Sequence, residues 1–211
     1  MKQKIFNFDI SSKNTLDDFY VSNSNKEAYN FVFNNNHQFK YSIIYGPTKS
    51  GKTHLGNIWL KKNNALMLKN INTFNDLNFN QNIFIDNFTE NLNEENLFHI
   101  INHCNNNSLK ILLSTNLYLY EYNFLLNDLL SRLKTFNFFE IKLPDDDLLI
   151  NIILKLLNDR QIIVNNVELI PFILKRINRT YKSIHDLIDN IDKLTLEKKR
   201  ELTIPLIKEL L

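Results

Sequence analysis

The stretch from Tyr41 to Thr53 reads Tyr-Ser-Ile-Ile-Tyr-Gly-Pro-Thr-Lys-Ser-Gly-Lys-Thr. It begins with a short apolar run typical of a buried β-strand and continues into the pattern G-x-x-x-x-G-K-[ST]. A helical pattern, Lys52–Lys62, follows at once. Because a strand, a glycine-containing loop and a helix occur in this order, the stretch predicts a phosphate-binding loop on an α/β fold.

Each residue type in this loop has a physical reason to be there. Gly46 and Gly51 allow the backbone to turn so that its N–H groups point at a phosphate. Lys52 would supply positive charge to the terminal phosphates, and Thr53 would offer a hydroxyl ligand to Mg²⁺. The other residues expected to contact a bound nucleotide here are Pro47, Thr48, Lys49, Ser50 and His54.

Glycine is scarce in this chain, which makes the loop stand out. The sequence has 3 glycines, all between positions 46 and 56, where an average usage of ~7% would give about fifteen. Alanine occurs only twice, while asparagine is abundant, a bias typical of AT-rich coding sequence. Two glycines retained in one loop are therefore informative, whereas the sequence suggests no phosphate-binding role for Gly56.

Composition excludes several classes of protein. With 211 residues, of which 44% are hydrophobic and 12% aromatic, the chain can bury a substantial core, so it is neither disordered nor fibrous. No apolar run is long enough for a membrane span, and the single cysteine fits a reducing cytoplasm. A net charge of +2 gives no broad electrostatic reason to expect DNA binding.

Short apolar runs alternate with helical patterns over the first two thirds of the chain. Runs that are apolar at consecutive positions indicate strands covered on both faces, and strands alternating with helices predict a parallel sheet. The predicted strands are Tyr41–Tyr45, Ala65–Leu68, Ile83–Ile85, Leu109–Leu113 and Phe136–Ile141. The predicted helices are Lys52–Lys62, Glu94–Asn105 and Leu125–Lys134, after a first helical pattern within Leu16–Phe33.

The pattern changes at Pro144. Three aspartates, Asp145–Asp147, suit the positive end of a helix, and the apolar residues within Leu148–Leu157 form one helical stripe. Further helices are predicted at Val167–Ile177, at Lys182–Leu194 and from Thr203 onward. The sequence therefore predicts a tail over residues 1–14, an α/β domain with a helix-flanked parallel sheet over 15–143 and a small all-helical lid domain over 144–211.

An acidic residue follows the third predicted strand. A nucleotide site needs a second protein ligand for Mg²⁺ besides the loop hydroxyl. Asp86, directly after Ile83–Ile85, suits that role and is a candidate catalytic residue. The alternative for Asp86 is an ordinary turn residue. Asn87 stands where an acidic residue commonly orients the attacking water, and a neutral amide is a poor general base. Glu90, three residues on, is the other candidate for contacting that water.

Two more polar positions are candidate site residues. The next apolar strand ends in Ser114, Thr115 and Asn116, where a side chain that senses the γ-phosphate would lie, although an ordinary turn is the alternative. Arg132 lies at the end of an apolar helix and suits a trans-acting arginine finger, which can contribute ~10³ to 10⁵ in rate. The alternative for Arg132 is a solvated surface arginine.

Taken in order, these motifs resemble the AAA+ module of the DnaA family of bacterial replication initiators. They resemble the Hda family, the regulatory inactivators of that initiator, more closely still. Asp86-Asn87 with the later Glu90 is similar to the Hda strand end, and Arg200–Leu210 is similar to the Hda C-terminal segment. As in that family, we expect no further DNA-binding helical domain after this segment. The resemblance covers residues 15–211.

The resemblance implies roles for individual residues. Phe19, Tyr20 and Val21 match the stretch that borders adenine, and Asn116 matches the sensor-one position. Arg132 matches the arginine that reaches a partner's nucleotide. The sensor-two arginine position falls on Lys182, with Arg179 one turn earlier. A lysine would contact phosphate as a point charge, whereas an arginine can donate two parallel hydrogen bonds.

The N-terminal tail carries a second implied element. Members of this family bind the β sliding clamp through a short peptide that begins with glutamine and carries spaced apolar anchors. Gln3 with Ile5, Phe6 and Phe8 is similar to that peptide, although Lys4 replaces the usual leucine. A frayed terminus or a strand of the fold is the alternative.

The resemblance implies a regulator that binds ADP or ATP with Mg²⁺ in the bacterial cytoplasm. With the DNA-loaded clamp it would stimulate ATP hydrolysis on DnaA and so prevent over-initiation, while its own turnover stays weak. The resemblance leaves open whether the chain forms homo-oligomers. Neither sequence-specific DNA binding nor a membrane partner is expected. The rival functions are a stand-alone AAA+ ATPase or helicase loader and a DnaA-like initiator paralogue.

Overall fold

The computed structural model describes residues 19–34, 39–68, 71, 79–90 and 92–210. Its strands are β1 (Tyr41–Tyr45), β2 (Leu66–Leu68), β3 (Ile83–Ile85), β4 (Ile111–Thr115) and β5 (Asn137–Glu140). Its helices are α1 (Lys26–Phe33), α2 (Lys52–Lys62), α3 (Glu94–Asn106), α4 (Asn127–Leu133), α5 (Asp146–Asp159), α6 (Leu169–Leu174), α7 (Tyr181–Lys198) and α8 (Ile204–Ile207). The described helices include none long and apolar enough to cross a membrane.

The five strands form one parallel sheet in the order β2-β3-β4-β1-β5. The α/β class and the parallel sheet predicted from the sequence are therefore confirmed. Tyr45 pairs with Thr115 and Ile85 pairs with Leu113, so β1, β3 and β4 end at one edge of the sheet. This edge brings the loop after β1 close to the residue after β3.

Both faces of the sheet are covered, which explains why its strands are apolar at consecutive positions. Ile43, Ile85 and Leu113 pack against α3 and α4, on one face. The neighbouring Ile44 and Leu112 pack on the opposite face, against α1 and α2. Side chains alternate between faces along a strand, so the two cores share the same three central strands.

Gly56 has a structural role that the sequence did not suggest. A Cβ atom at this position would lie 2.0 Å from Cζ of Phe84, whose ring is fully buried under α2. Gly56 thus allows the helix that follows the phosphate loop to pack directly on β3. All three glycines of the chain are accounted for by close approach of the backbone to another group.

From Asp146 to Leu210, the described residues form helices and no strand. Their core lies between α5, α6 and α7 and includes Leu149, Leu169 and Ile188. Asp145 caps α5, since its carboxylate accepts from the Leu148 N–H at 2.8 Å. The helical lid predicted from the sequence is present.

Several predicted boundaries were wrong. The ladder of β4 begins at Ile111 instead of Leu109 and continues through the buried Ser114 and Thr115, because their hydroxyl groups find partners inside the fold. Helix α4 begins at Asn127, because the two preceding N–H groups donate to the Glu94 carboxylate instead of entering a helix. Helix α1 lies late in the predicted run Leu16–Phe33, as expected. The other bounds that differ from the prediction are the start of β2, both ends of β5, the end of α3, the end of α4, both ends of α6, both ends of α7 and the start of α8.

Candidate functional site

The phosphate loop has the backbone geometry that its glycines predict. Gly46 and Gly51 have φ angles of 154° and 94°. A Cβ at Gly46 would lie 2.3 Å from the Ile141 carbonyl oxygen, and one at Gly51 would lie 2.8 Å from the Phe19 ring. Both glycines are therefore required by conformation and by close packing. Lys49 adds a positive φ of 66° between them, which is strained for a residue with a side chain.

Lys52 lies at the centre of the loop and is buried. Its ammonium donates to the carbonyl oxygens of Gly46 at 2.8 Å and Pro47 at 2.7 Å. Burial lowers the pKa of Lys52 to about 8, while the nearby Asp86 carboxylate acts in the opposite direction. The loop thus holds a positive charge out of water, where an anion would stabilise it strongly.

Asp86 and Thr53 meet at the sheet edge, as their positions predict. The Thr53 hydroxyl donates to one carboxylate oxygen of Asp86 at 2.7 Å, and the Ser114 hydroxyl donates to the other. Ser114 also accepts from the Asn87 N–H at 2.7 Å. A hydroxyl and a fixed carboxylate both offer oxygen ligands, which are the type that Mg²⁺ takes beside a phosphate.

The residues after Asp86 line the same cleft. This cleft has a volume of about 800 Å³, and its walls include Thr48, Asn87, Glu90 and Asn116. Asn87 has a φ of 48°, and its side-chain oxygen is buried without a hydrogen-bond partner. The structure therefore brings the predicted sensor residue Asn116 and the candidate Glu90 to the phosphate loop.

A second, more apolar cleft of about 230 Å³ adjoins the first. Both are lined by Lys49, Ser50, Gly51, His54 and His185. Phe19 and Tyr20 form one side, with the Phe19 ring 5.7 Å from His54 between centroids. Leu148 and Ile152 of α5 and Tyr181 of α7 form the other side. The lid helices thus complete a pocket beside the phosphate loop.

The two candidates for sensor two lie outside these clefts. Arg179 pairs with Asp146 at 3.1 Å, and Lys182 is exposed on α7. Val21 is also exposed, next to Tyr20. The loop and the lid meet instead through Lys49, which pairs with Asp186 on α7, and His185 of α7 lines both clefts beside this pair. Burial is the main cause of a lowered pKa at His185.

Comparisons with known proteins agree with this geometry. Residues 152–211 match the family model for the lid domain of Hda. No curated protein sequence matches the chain significantly. The fold is similar to AMPPCP-bound DnaA from Aquifex aeolicus, with 20% identity and a TM-score of 0.70 over 90% of this chain and 68% of that one. Domain III of Thermotoga maritima DnaA gives 16% identity and a TM-score of 0.77 over 95% and 96% of the two chains.

A RuvB variant from Thermotoga maritima is also similar, with 15% identity and a TM-score of 0.68 over 93% of this chain and 70% of that one. At these identities the structural matches establish the fold alone. The chain has a fold similar to that of DnaA, and its residues 152–211 match the Hda lid domain. The AAA+ resemblance inferred from the motifs is confirmed.

Arg132 lies at the opposite edge of the sheet from the phosphate loop. It lines a cleft of about 420 Å³ together with Tyr41 and Phe136, which stand where β1 and β5 begin. The guanidinium carbon lies 5.3 Å from the centroid of the Phe98 ring on α3. The length of the sheet therefore separates this guanidinium from the chain's own phosphate loop.

Sequence reasoning missed three contacts of the candidate site. Ser114 was expected only as one of the polar residues at the end of its strand, and the structure shows that its hydroxyl fixes the Asp86 carboxylate. Phe19, which belongs to the stretch expected to border adenine, packs against the loop at Gly51. Asp186 reaches the loop from the lid, and it was indistinguishable in sequence from other aspartates on α7. The tail residues Gln3, Ile5, Phe6 and Phe8 lie outside the described residues.

Proposed function

We propose that this protein binds an adenine nucleotide with Mg²⁺ and, with the DNA-loaded β sliding clamp, stimulates ATP hydrolysis on DnaA. The observation that carries the proposal is the position of the Hda-type lid. Ile152, Tyr181 and His185 belong to the segment that matches the Hda lid, and all three line the pocket beside the phosphate loop. The family-specific part of the chain thus forms part of the candidate site.

The two clefts suit the two parts of a nucleotide. The Lys52 ammonium and the turned backbone of the loop would hold the phosphates, and Thr53 with Asp86 would hold Mg²⁺. The apolar pocket beside Tyr20 would take the base. The similar Aquifex aeolicus DnaA was solved with AMPPCP, which supports an adenine nucleotide. Either ADP or ATP satisfies these contacts.

The chain's own hydrolysis should be weak. Asn87 follows Asp86, and a neutral amide cannot take a proton from water. Among the described residues that line the cleft, Glu90 is the one carboxylate besides Asp86. A single-turnover measurement with the isolated protein tests this: fast ADP formation would favour a stand-alone ATPase or helicase loader, and its loss in Glu90→Gln would identify the base.

Arg132 would act on the partner's nucleotide. Its distance from the chain's own loop, at the far edge of the sheet, supports an action in trans. The test follows ADP formation by ATP-loaded DnaA with the DNA-loaded clamp and this protein. Arg132→Ala should lose stimulation, whereas Lys134→Ala, which removes an exposed cation two residues on, should retain it. Equal activity of wild type and Arg132→Ala would contradict the finger role.

The tail would tether the protein to the clamp. Its glutamine and spaced apolar anchors could enter an apolar groove as an extended peptide. Replacing Gln3, Phe6 and Phe8 by alanine should abolish retention on immobilised clamp, whereas Asn7→Ala should not. Undiminished retention of the triple variant would place the clamp contact elsewhere in the chain.

The proposal places the protein in the bacterial cytoplasm with DnaA and the clamp as its partners. Its balanced charge, 25 basic and 23 acidic side chains, offers little attraction to phosphate backbones. Fluorescence anisotropy with duplex DNA should therefore show no salt-sensitive affinity, and tight binding would favour an initiator paralogue. Analytical ultracentrifugation with and without ADP would measure self-association.

A further inference from the structure

Lys49 connects the phosphate loop to the lid. Its ammonium lies 3.0 Å from Oδ1 of Asp186 and 3.9 Å from Oδ2 of Asp189, one turn apart on α7. The side chain leaves a backbone held at a φ of 66°. A lysine in a strained loop position is thus paired with two carboxylates of the other part of the molecule.

The carboxylates are themselves anchored within the lid. Asp189 also pairs with Arg160, whose guanidinium donates to the Leu156 carbonyl oxygen at 3.1 Å. Arg160 follows the last residue of α5, so the network joins the loop, α7 and α5. A hydrogen bond from Lys49 holds the pKa of the Asp186 carboxyl below its ordinary value, so this carboxylate is ionised at neutral pH.

We propose that Lys49, Asp186 and Asp189 form a loop–lid latch that holds the lid closed and must open for a nucleotide to enter or leave. The gating part of this inference rests on the proposed nucleotide site. Lys49 lines both the phosphate cleft and the apolar pocket, so its contact with α7 lies where the two meet.

The strength of the latch suits reversible opening. All three side chains are between one third and one half exposed, so water and salt screen their attraction. A half-exposed pair is weak enough to break thermally, yet two pairs on one cation narrow the range of lid positions. An incoming polyphosphate would also compete with the carboxylates for Lys49.

The first test measures lid position without nucleotide. Spin labels at Lys61→Cys on α2 and Lys193→Cys on α7, both exposed positions, report the distance between loop helix and lid. The native Cys104 is buried, so it leaves the labelling specific. Asp186→Asn with Asp189→Asn should broaden and lengthen the distance distribution, as should raising the salt. Glu197→Gln, an exposed carboxylate further along α7, is the matched control.

The second test measures release of a fluorescent ADP analogue. The double asparagine variant should release it about threefold to fivefold faster, the effect expected for exposed ion pairs. The exchanged pair Lys49→Asp with Asp186→Lys should restore the narrow distance distribution. An unchanged distribution in the double variant would overturn the latch, and a changed distribution with an unchanged release rate would overturn its gating role. If wild type binds no analogue, the proposed nucleotide site fails, whereas the distance measurement still tests the latch.

Discussion

Raising the pH from 7 to 9 should weaken binding of ADP at the phosphate loop, because Lys52 loses its proton in this range. Its side chain is 6% exposed, and burial lowers its pKa to about 8. A bound phosphate would favour the ammonium form, so the complex keeps the proton that the free protein loses. Affinity is therefore highest well below pH 8 and falls as the pH rises through 8.

The magnitude follows from this pKa. A group with a pKa of about 8 is mostly protonated at pH 7 and about one tenth protonated at pH 9. If only the protonated form binds well, the dissociation constant should rise about tenfold, which is about 1.4 kcal/mol. The limiting slope above pH 8 should be about one decade per pH unit.

Isothermal titration calorimetry with ADP and Mg²⁺ between pH 7.5 and 9.5 would measure this slope. Phosphate groups, with a second pKa of about 6, are already ionised there, so the ligand does not contribute. Lys52→Arg is the control, since a guanidinium keeps its charge across the range and should give a flat profile. A flat profile for wild type would refute the coupling of Lys52 to the phosphate.

Three further outcomes are expected. Gly56→Ala should lower the free energy of unfolding in urea by about 2 kcal/mol, because a methyl group would overlap the Phe84 ring. Asn57→Ala on the same helix should be neutral or stabilising, and equal effects of the two would contradict the packing argument. Ser114→Ala should weaken binding of ADP with Mg²⁺ about tenfold, by freeing the carboxylate on the metal side, and should leave metal-free ADP binding less affected. The Cys104 thiol, whose pKa burial raises to about 12, should not react with a disulfide reagent at pH 8 until the chain is unfolded.

The central strands and the phosphate loop could be predicted because each carries a local signal. Ile83–Ile85 is apolar at three consecutive positions, as a strand buried on both faces must be. The loop glycines stand out in a chain with 3 glycines in all. The end of β4 could not be predicted in this way. Ser114 and Thr115 are polar, and only their partners Asp86 and Thr89 make it favourable to bury them.

On the lid side of the site, the sequence predicts the helix but not which of its charged residues contact the loop. The spacing of apolar residues marks α7 as a helix with one apolar face. It places every aspartate of α7 on the polar face alike and does not show which of them contacts the loop. Only the packing of α7 over the loop distinguishes Asp186, which pairs with Lys49, from Asp192 and Glu197. Likewise, Arg179 and Lys182 are equivalent candidates in sequence, and the structure pairs Arg179 with Asp146.

Charged side chains lie at both edges of the parallel sheet. At the edge where β1, β3 and β4 end, Lys52 and Asp86 line one cleft. At the edge where β1 and β5 begin, Arg132 packs on Phe98 and lies apart from that cleft. Because the length of the sheet separates them, a change at one edge should leave the other intact. Arg132→Ala should therefore bind ADP as wild type does, and any loss of partner stimulation in that variant would arise at the far edge alone.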